Sequence, residues 1–199
     1  MNTHLRPPTL PLSTQAAEGL PRRRWTTAEL EAMVRAHILD PEERIELIGG
    51  EVVPLPAKGH RHELVADELQ RYWVRNADAL IWICSERQLN LDAETYTTPD
   101  LLVRPAAIKI PDVRGETALL VVEVADSSLD YDWKTKAPLY ARFGVREYWV
   151  IKAWTLETRV HREPAGSTYA SVQDFAASEL LTPLLAPSLA VRLDELDLG

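Results

Sequence analysis

The feature that most constrains the fold is the stretch ALLVVEVADSS at residues 118–128, whose apolar part, 118–125, contains one carboxylate. The run has the length and the β-branched content of a buried strand, and Glu123 lies in its middle. Burying a carboxylate there costs on the order of several kcal/mol unless a partner compensates its charge. The strand therefore predicts a partner for Glu123 elsewhere in the chain.

The residues that follow this strand predict a β–α–β unit. DYDWKTKAPLYARFG at 130–144 is typical of a helix that ends at Gly144, and REYWVIK at 146–152 is typical of a second strand. A crossover helix lies over the sheet that it leaves. Because 118–125 is the most apolar strand, we expect it near the centre of the sheet.

The remaining segments predict helices early in the chain and strands after them, which makes a mixed α/β domain. The predicted elements are helices at 26–38 and 60–77, a hairpin at 44–55 around Gly49-Gly50, strands at 80–91, 97–105 and 156–163, and a loop at 105–117. The apolar segment 180–196 contains two prolines, and we expect it to pack across the core.

Composition narrows the class of protein. With 199 residues, 46% hydrophobic and 26% charged, the chain fits one globular domain at 25–199 after a flexible tail at 1–24. Its single cysteine, Cys84, allows no intrachain disulfide and suits a reducing cytoplasm. No apolar run is long enough for a membrane span, and the N-terminus lacks the apolar core of a signal peptide.

The formal net charge of −8 disfavours a general nucleic-acid-binding protein, which usually presents a basic face. It does not exclude a nuclease, because clustered carboxylates that bind cations also lower the formal charge.

Charged residues converge on the predicted sheet. Asp100 follows a proline at the start of one strand, and Glu123 lies within the next. Asp132, Lys136 and Tyr140 are spaced by four residues on the crossover helix, so they share one face and Lys136 can reach the sheet. Each feature alone has a plainer explanation: a turn cap for Asp100, a core ion pair for Glu123 and a surface salt bridge for the helix pair.

This group of side chains has a chemical use. Two carboxylates a few ångström apart repel each other, and a hard divalent cation removes that conflict. Mg²⁺ takes one or two carboxylates together with waters and phosphate oxygens. Such an ion polarises a phosphoryl oxygen and lowers the pKa of a bound water, while a nearby lysine offsets developing negative charge. The residues therefore predict a site for phosphodiester hydrolysis.

Three segments, TTPDLLVRP, LLVVEVADSS and DYDWKTKAPLYARFGVREYWVIK, resemble the Uma-two family of restriction endonucleases in the PD-(D/E)XK nuclease superfamily. RIELIGGEVVPLP, GHRHELVADEL and LLAPSLAVRLDEL resemble further parts of that family, so the likeness covers about residues 26–196. It implies a restriction-endonuclease-like mixed sheet flanked by helices, a Mg²⁺ or Mn²⁺ cofactor and DNA as substrate. A homodimer is compatible with this activity, because cutting both strands needs two sites.

The resemblance also assigns residues to the metal site. Pro99-Asp100 matches the PD element, and Glu123 matches the second acid. The backbone carbonyl of Val124 is expected as a further metal ligand. Glu46, in the first hairpin, matches an acid that extends the site, as a ligand of a second metal or by orienting the first.

The position of the catalytic lysine departs from the superfamily pattern. That lysine would fall at Ala125, two residues after the second acid, and is absent there. In this family it comes from the next helix, where Lys136 matches. Pro138 interrupts that helix, so Lys134 is the substitute candidate. His62 matches a helix histidine, for which packing or solvation is the simpler explanation.

Two other classes of function compete with the endonuclease. An interaction protein on a degenerate nuclease fold is consistent with the acidic balance, since fold does not determine function. A non-nuclease metal hydrolase is disfavoured, because the five histidines show no HExxH spacing.

Overall fold

The computed structural model describes residues 22–199, and the elements below are those of this part of the chain. Its ten strands are β1 (Ile45–Ile48), β2 (Glu51–Pro54), β3 (Ile81–Ser85), β4 (Leu89–Asp92), β5 (Thr95–Thr97), β6 (Leu101–Pro105), β7 (Leu120–Ala125), β8 (Glu147–Lys152), β9 (Thr158–Ala165) and β10 (Thr168–Phe175). Its α-helices are α1 (Thr27–Arg35), α2 (His60–Asn76), α3 (Leu129–Tyr131) and α4 (Ala137–Arg142), with a π-helical turn at Asp132–Lys136. Short 3₁₀ turns lie at Ile110–Asp112, Gly115–Thr117, Pro187–Leu189 and Leu193–Glu195.

The strands form two sheets. The larger has the order β10-β9-β8-β7-β6-β3, and the smaller has the order β2-β1-β5-β4. β7 pairs in parallel with β8 and antiparallel with β6, and all of its residues are buried. The predicted β–α–β crossover, the central place of β7 and the mixed α/β sheet flanked by helices are therefore confirmed.

Both faces of the large sheet are covered, and β7 contributes to both. Leu120, Val122 and Val124 face the core beneath α2, whereas Val121 and Ala125 face the core beneath α4. Successive strand residues point to opposite faces, so Glu123 projects to the α4 side. The α2 side also buries the C-terminal segment, where Leu181 and Val191 form a β-bridge, as expected of a segment that packs across the core.

Two predicted strands are each divided between the sheets. Predicted strand 80–91 is wrong as one element, because β3 belongs to the large sheet and β4 to the small one. The chain changes direction near Glu86, whose φ is 50°. Predicted strand 97–105 likewise contains the end of β5 and all of β6, with Asp100 immediately before β6. Apolar periodicity reports which residues are buried, but it does not report which sheet buries them.

β10 was not predicted, because most of its side chains are exposed and give little apolar alternation. It forms a hairpin with β9 through a turn at Gly166, whose φ is 67°.

The expected tail, 1–24, lies outside the described residues except for Arg22, Arg23 and Arg24. The side chains of these three form ion pairs with Glu51, Glu29 and Glu94, respectively. Within residues 22–199 no helix has the length and apolar character needed to cross a bilayer.

Candidate active site

A cavity of about 70 Å³ lies where the two sheets, the start of α2 and the π-helical turn meet. Its charged lining residues include Lys58, His62, Asp100, Glu123, Asp132 and Lys136. A space of this size has room for several water molecules.

Asp100 lies immediately before β6 of the large sheet, where three partners hold its carboxylate. Its Oδ2 accepts a 2.7 Å hydrogen bond from the backbone N–H of Val124, on the neighbouring strand β7. Its Oδ1 lies 2.6 Å from Lys58 Nζ and 3.0 Å from His62 Nε2. Burial alone would raise the pKa of Asp100, but His62 and Lys58 more than offset it and hold the pKa well below its usual range.

Glu123 finds its partner in the crossover helix. Its Oε1 lies 2.8 Å from Lys136 Nζ and accepts a 3.3 Å hydrogen bond from the Tyr140 hydroxyl. Burial raises the pKa of Glu123 well above 4.5, and the nearby carboxylates of Asp100 and Asp132 raise it further, although Lys136 acts in the opposite direction. The site therefore disfavours the simultaneous ionisation of its carboxyl groups.

A π-helical turn places Lys136 over the sheet. The backbone N–H of Ala137 donates to the carbonyl of Asp132, five residues back, instead of four. Pro138, which has no N–H to donate, follows in the first turn of α4. The helix that contains Pro138 therefore starts just before the proline, and the wider turn that precedes it leaves Lys136 buried above Glu123.

Lys134, the substitute candidate, lies away from the cavity. Its side chain is 71% exposed and pairs with Asp130, 2.8 Å away on the surface. Of these two lysines, the structure brings only Lys136 to the acids.

Glu46 is a further acid of this site, and it comes from the small sheet. It is fully buried on β1, and its Oε1 accepts a 2.9 Å hydrogen bond from the Thr98 N–H and lies 3.1 Å from Lys136 Nζ. Among the described residues its Oε2 is buried with no hydrogen-bond partner. A buried carboxylate oxygen without a donor is costly, which marks this position as one that can accept a further ligand.

Asp132 adds a further carboxylate from the π-helical turn. It is buried, and its Oδ2 accepts a 2.6 Å hydrogen bond from the Ser128 hydroxyl. Burial raises its pKa. Burial also opposes the ammonium of Lys136, but Glu123 and the neighbouring charges prevail and raise the Lys136 pKa well above 10.5. Lys136 is therefore a permanent cation at neutral pH.

The backbone carbonyl of Val124 faces the cavity side of β7. The carbonyl of Ala125 accepts a hydrogen bond from Ala153 on the β8 side. Neighbouring strand residues direct their N–H and C=O groups to opposite edges, so both groups of Val124 point towards Asp100. Asp100, Glu123 and this carbonyl offer only oxygen donors, the type that Mg²⁺ and Mn²⁺ prefer.

The described residues contain no ready-made cluster of metal ligands. Across residues 22–199 no group of three or more His, Cys, Asp or Glu side chains has the spacing to hold a metal ion. Asp100 is instead paired with Lys58 and hydrogen-bonded to His62, and Glu123 is paired with Lys136.

Sequence reasoning missed Lys58 and left the role of His62 open. Lys58 lies in the loop before α2, and only the packing of α2 against the large sheet brings it to Asp100. His62 is buried on the first turn of α2, where a hydrogen bond to Asp100 replaces the packing or solvation expected for it. A single sequence carries no periodicity that links a loop lysine to a strand carboxylate.

Comparisons with known proteins agree with the fold. The family model described as "Uma2: Putative restriction endonuclease" matches residues 28–194. Among solved structures, the chain is similar to "a putative nuclease belonging to DUF820" from Anabaena variabilis ATCC 29413, with a TM-score of 0.66 and 14% sequence identity. The likeness covers 81% of this chain and 93% of that chain, and at such low identity it shows the fold alone. No curated protein matches the chain.

Proposed function

Since the chain belongs to the Uma2 family, described as "Putative restriction endonuclease", we propose that it is a Mg²⁺- or Mn²⁺-dependent endodeoxyribonuclease that hydrolyses phosphodiester bonds at the cavity described above. The observation that carries this proposal is the tie between the two acidic positions. Asp100 Oδ2 accepts the N–H of Val124, the residue that follows Glu123, so the two carboxylates open into one cavity.

The chemistry of the donors supports a divalent cation. Glu46 Oε2 is buried without a partner, and the pKa of Glu123 is raised partly by neighbouring carboxylates. A cation relieves both costs. Asp100, Glu123 and the Val124 carbonyl would hold it, with Glu46 able to orient it or to bind a second ion. Binding requires Asp100 Oδ1 to release Lys58 and His62.

The chain's own groups divide the remaining work. The bound cation would polarise the phosphoryl oxygen and lower the pKa of its water. Lys136 remains protonated, so it acts as a positive charge that positions the attacking water and stabilises the negative phosphorane, and not as a general base. Tyr140 donates to Glu123 and lies 3.0 Å from Thr97 Oγ1, which fixes the carboxylate beneath the ammonium.

Plasmid cleavage with Mg²⁺ or Mn²⁺ tests the proposal, with Asp100→Asn as the site variant and Asp130→Asn as the control. Asp130 is an exposed acid outside the cavity. We expect at least ~100-fold slower cleavage for Asp100→Asn, in the range of losing one transition-state stabiliser, and an unchanged rate for Asp130→Asn. Thermal melting verifies that both variants fold. Cleavage that survives in Asp100→Asn would contradict the assignment. Sedimentation with and without DNA tests whether a homodimer supplies two sites to one duplex.

A second candidate is a non-catalytic interaction protein, and one observation favours it. Lys58, His62 and Lys136 already compensate Asp100 and Glu123 without any metal. Calorimetric titration with Mn²⁺ distinguishes the two functions: the nuclease requires a saturable heat that Asp100→Asn removes, whereas the degenerate site gives none.

A further inference from the structure

Trp154 exposes a large apolar surface next to the candidate active site. It lies in the turn between β8 and β9, and 69% of its surface is accessible to solvent. An indole offers up to about 200 Å² of mostly apolar surface, so its exposure forgoes the hydrophobic stabilisation that burial would give.

The indole is exposed but fixed in orientation. Its Nε1–H donates a 2.9 Å hydrogen bond to Asp126 Oδ1. The preceding residue, Ala153, donates its N–H to the Ala125 carbonyl and accepts a 3.1 Å hydrogen bond from Arg61 Nε. One hydrogen bond thus holds the edge of the ring, and two others hold the backbone of the residue before it. A pre-organised aromatic ring of this kind binds a ligand with little loss of conformational entropy.

The residues that hold this ring belong to the elements that carry the site. Asp126 lines the cavity and lies three positions after Glu123 in the chain. Arg61 adjoins His62, whose imidazole contacts Asp100. The indole is therefore one hydrogen bond away from a residue of the cavity wall.

We propose that Trp154 is a base-stacking platform and that the substrate of this site is DNA with an unpaired base beside the scissile phosphate, such as a single strand or a frayed end. The proposal rests on the nuclease function proposed above. A flat indole stacks on any base, but in an intact duplex the base faces are already stacked on their neighbours. A single strand offers those faces without the cost of unpairing.

The charge of the protein points in the same direction. Both forms of DNA are bound partly by neutralising phosphates with lysine and arginine, and this contribution is larger for a duplex than for a single strand. This chain carries a formal net charge of −8, and the basic side chains that line its cavity, Lys58 and Lys136 among them, are already engaged in contacts within the protein. Stacking supplies binding energy that does not depend on a broad basic surface.

Fluorescence anisotropy with labelled oligonucleotides in Ca²⁺ tests the platform without requiring cleavage. The probes are a 12-nucleotide single strand and a blunt duplex of the same sequence. The variants are Trp154→Ala, the conservative Trp154→Phe, and Trp82→Ala as a matched control, because Trp82 is also exposed (57%) but lies on the edge strand β3. Thermal melting of each variant verifies folding.

We expect Trp154→Ala to weaken single-strand binding by about 5- to 150-fold, equivalent to the ~1–3 kcal/mol of one stacked base, and to change duplex binding by less than about twofold. Trp154→Phe should retain most of the affinity, and Trp82→Ala all of it. An equal loss on both probes, no loss with Trp154→Ala, or no single-strand binding by the wild-type protein would each overturn the proposal.

The two proposals fail separately. If wild-type protein cleaves plasmid with Mn²⁺ while Trp154→Ala binds the single strand normally, the platform is wrong and the nuclease stands. If Trp154→Ala loses binding but wild-type protein cleaves no DNA with any divalent metal, the surface binds DNA and the catalytic proposal is wrong.

Discussion

Lys136 Nζ lies 2.8 Å from Oε1 of Glu123, thirteen residues earlier in the chain. The same ammonium lies 3.1 Å from Glu46 Oε1, so one side chain of the crossover joins carboxylates from both sheets. All three side chains are almost completely buried. Removing one member of such a group leaves an uncompensated charge in a poorly solvated position, which is far costlier than breaking a surface pair.

Replacing Lys136 with methionine should abolish most of the nuclease activity and weaken the fold. We expect kcat to fall by about 10²- to 10³-fold, because the positive charge that stabilises the phosphorane is lost. The free energy of unfolding should fall by about 2–4 kcal/mol, less than a full buried-charge penalty because Glu123 can take up a proton. Plasmid cleavage and urea unfolding measure the two effects.

Lys134→Met is the matched control for this change, since it removes the same charge from the exposed surface next to Asp130. It should leave kcat unchanged. Wild-type cleavage by Lys136→Met, or an equal loss in Lys134→Met, would show that Lys136 is not the catalytic cation.

Replacing Lys58 with methionine should tighten metal binding. Lys58 Nζ lies 2.6 Å from Asp100 Oδ1 and also pairs with Glu86, so it competes with a cation for that oxygen. We expect the dissociation constant for Mn²⁺ to fall about tenfold, equal to about 1.4 kcal/mol. Isothermal titration calorimetry measures it, with Lys134→Met as the charge-matched reference. Weaker Mn²⁺ binding in Lys58→Met would mean that Lys58 supports the metal site instead of competing for it.

His161 should make the fold sensitive to mild acid. It is buried against Tyr148 and Tyr169, and burial lowers its pKa to about 4 from 6.5. The unfolded chain binds a proton here as pH falls through 6.5, whereas the folded chain does not until about pH 4, so the free energy of unfolding falls across that window. Allowing for partial solvent contact, the loss should be about 1–3 kcal/mol.

Urea unfolding of wild type and His161→Phe at pH 7.5, 5.5 and 4.5 measures this contribution. The difference between their unfolding free energies should shift in favour of the variant as pH falls. A difference that stays constant over this range would show that His161 titrates normally in the folded state.

Glu147 is a buried acid whose role is to stabilise the fold. Its Oε1 accepts hydrogen bonds from the Arg162 guanidinium and the Trp149 indole, and its Oε2 accepts the backbone N–H of Leu184. Glu147→Ala should lower the free energy of unfolding by about 3–5 kcal/mol, because it leaves these donors unpaired. Glu157→Ala, at an exposed pair with Lys152, should leave the free energy of unfolding nearly unchanged.

Thermal melting and plasmid cleavage check these expectations together. Below its melting temperature Glu147→Ala should cleave at the wild-type rate, since Glu147 touches no residue of the cavity lining named above. A loss of cleavage by a folded Glu147→Ala protein would contradict a purely structural role for Glu147.

The central strand β7, the crossover that follows it and the contact between Glu123 and Lys136 were predictable from the sequence, because they depend on local patterns. The apolar strand around Glu123, a helix of suitable length and a second strand together favour a parallel crossover, which β7 and β8 form. Such a crossover lays its helix over the carboxylate, and spacing by four residues puts Asp132, Lys136 and Tyr140 on one face. The π-helical turn left that outcome intact although the sequence indicated only that Pro138 disturbs the helix.

The remaining parts depend on contacts between distant segments. Glu123 and Glu147 both belong to buried strands, and nothing local distinguishes them. The difference lies in their partners: Glu147 receives donors from β9 and the C-terminal segment, whereas Glu123 faces a cavity. Lys58 was missed for the same reason, since its contact with Asp100 exists only once α2 has packed against the large sheet.

The separation of Glu46 and Lys136 along the chain also determines when the site can assemble during synthesis. Glu46 belongs to the first hairpin of the chain and Lys136 to the crossover, so no segment shorter than Glu46 to Lys136 contains both the acids and the lysine that joins them. The contact between these two residues is long-range, so it forms only after slower, non-local pairing has succeeded. A nascent or partly folded chain thus lacks the proposed machinery, and the potential to cut DNA arises only with completion of the fold.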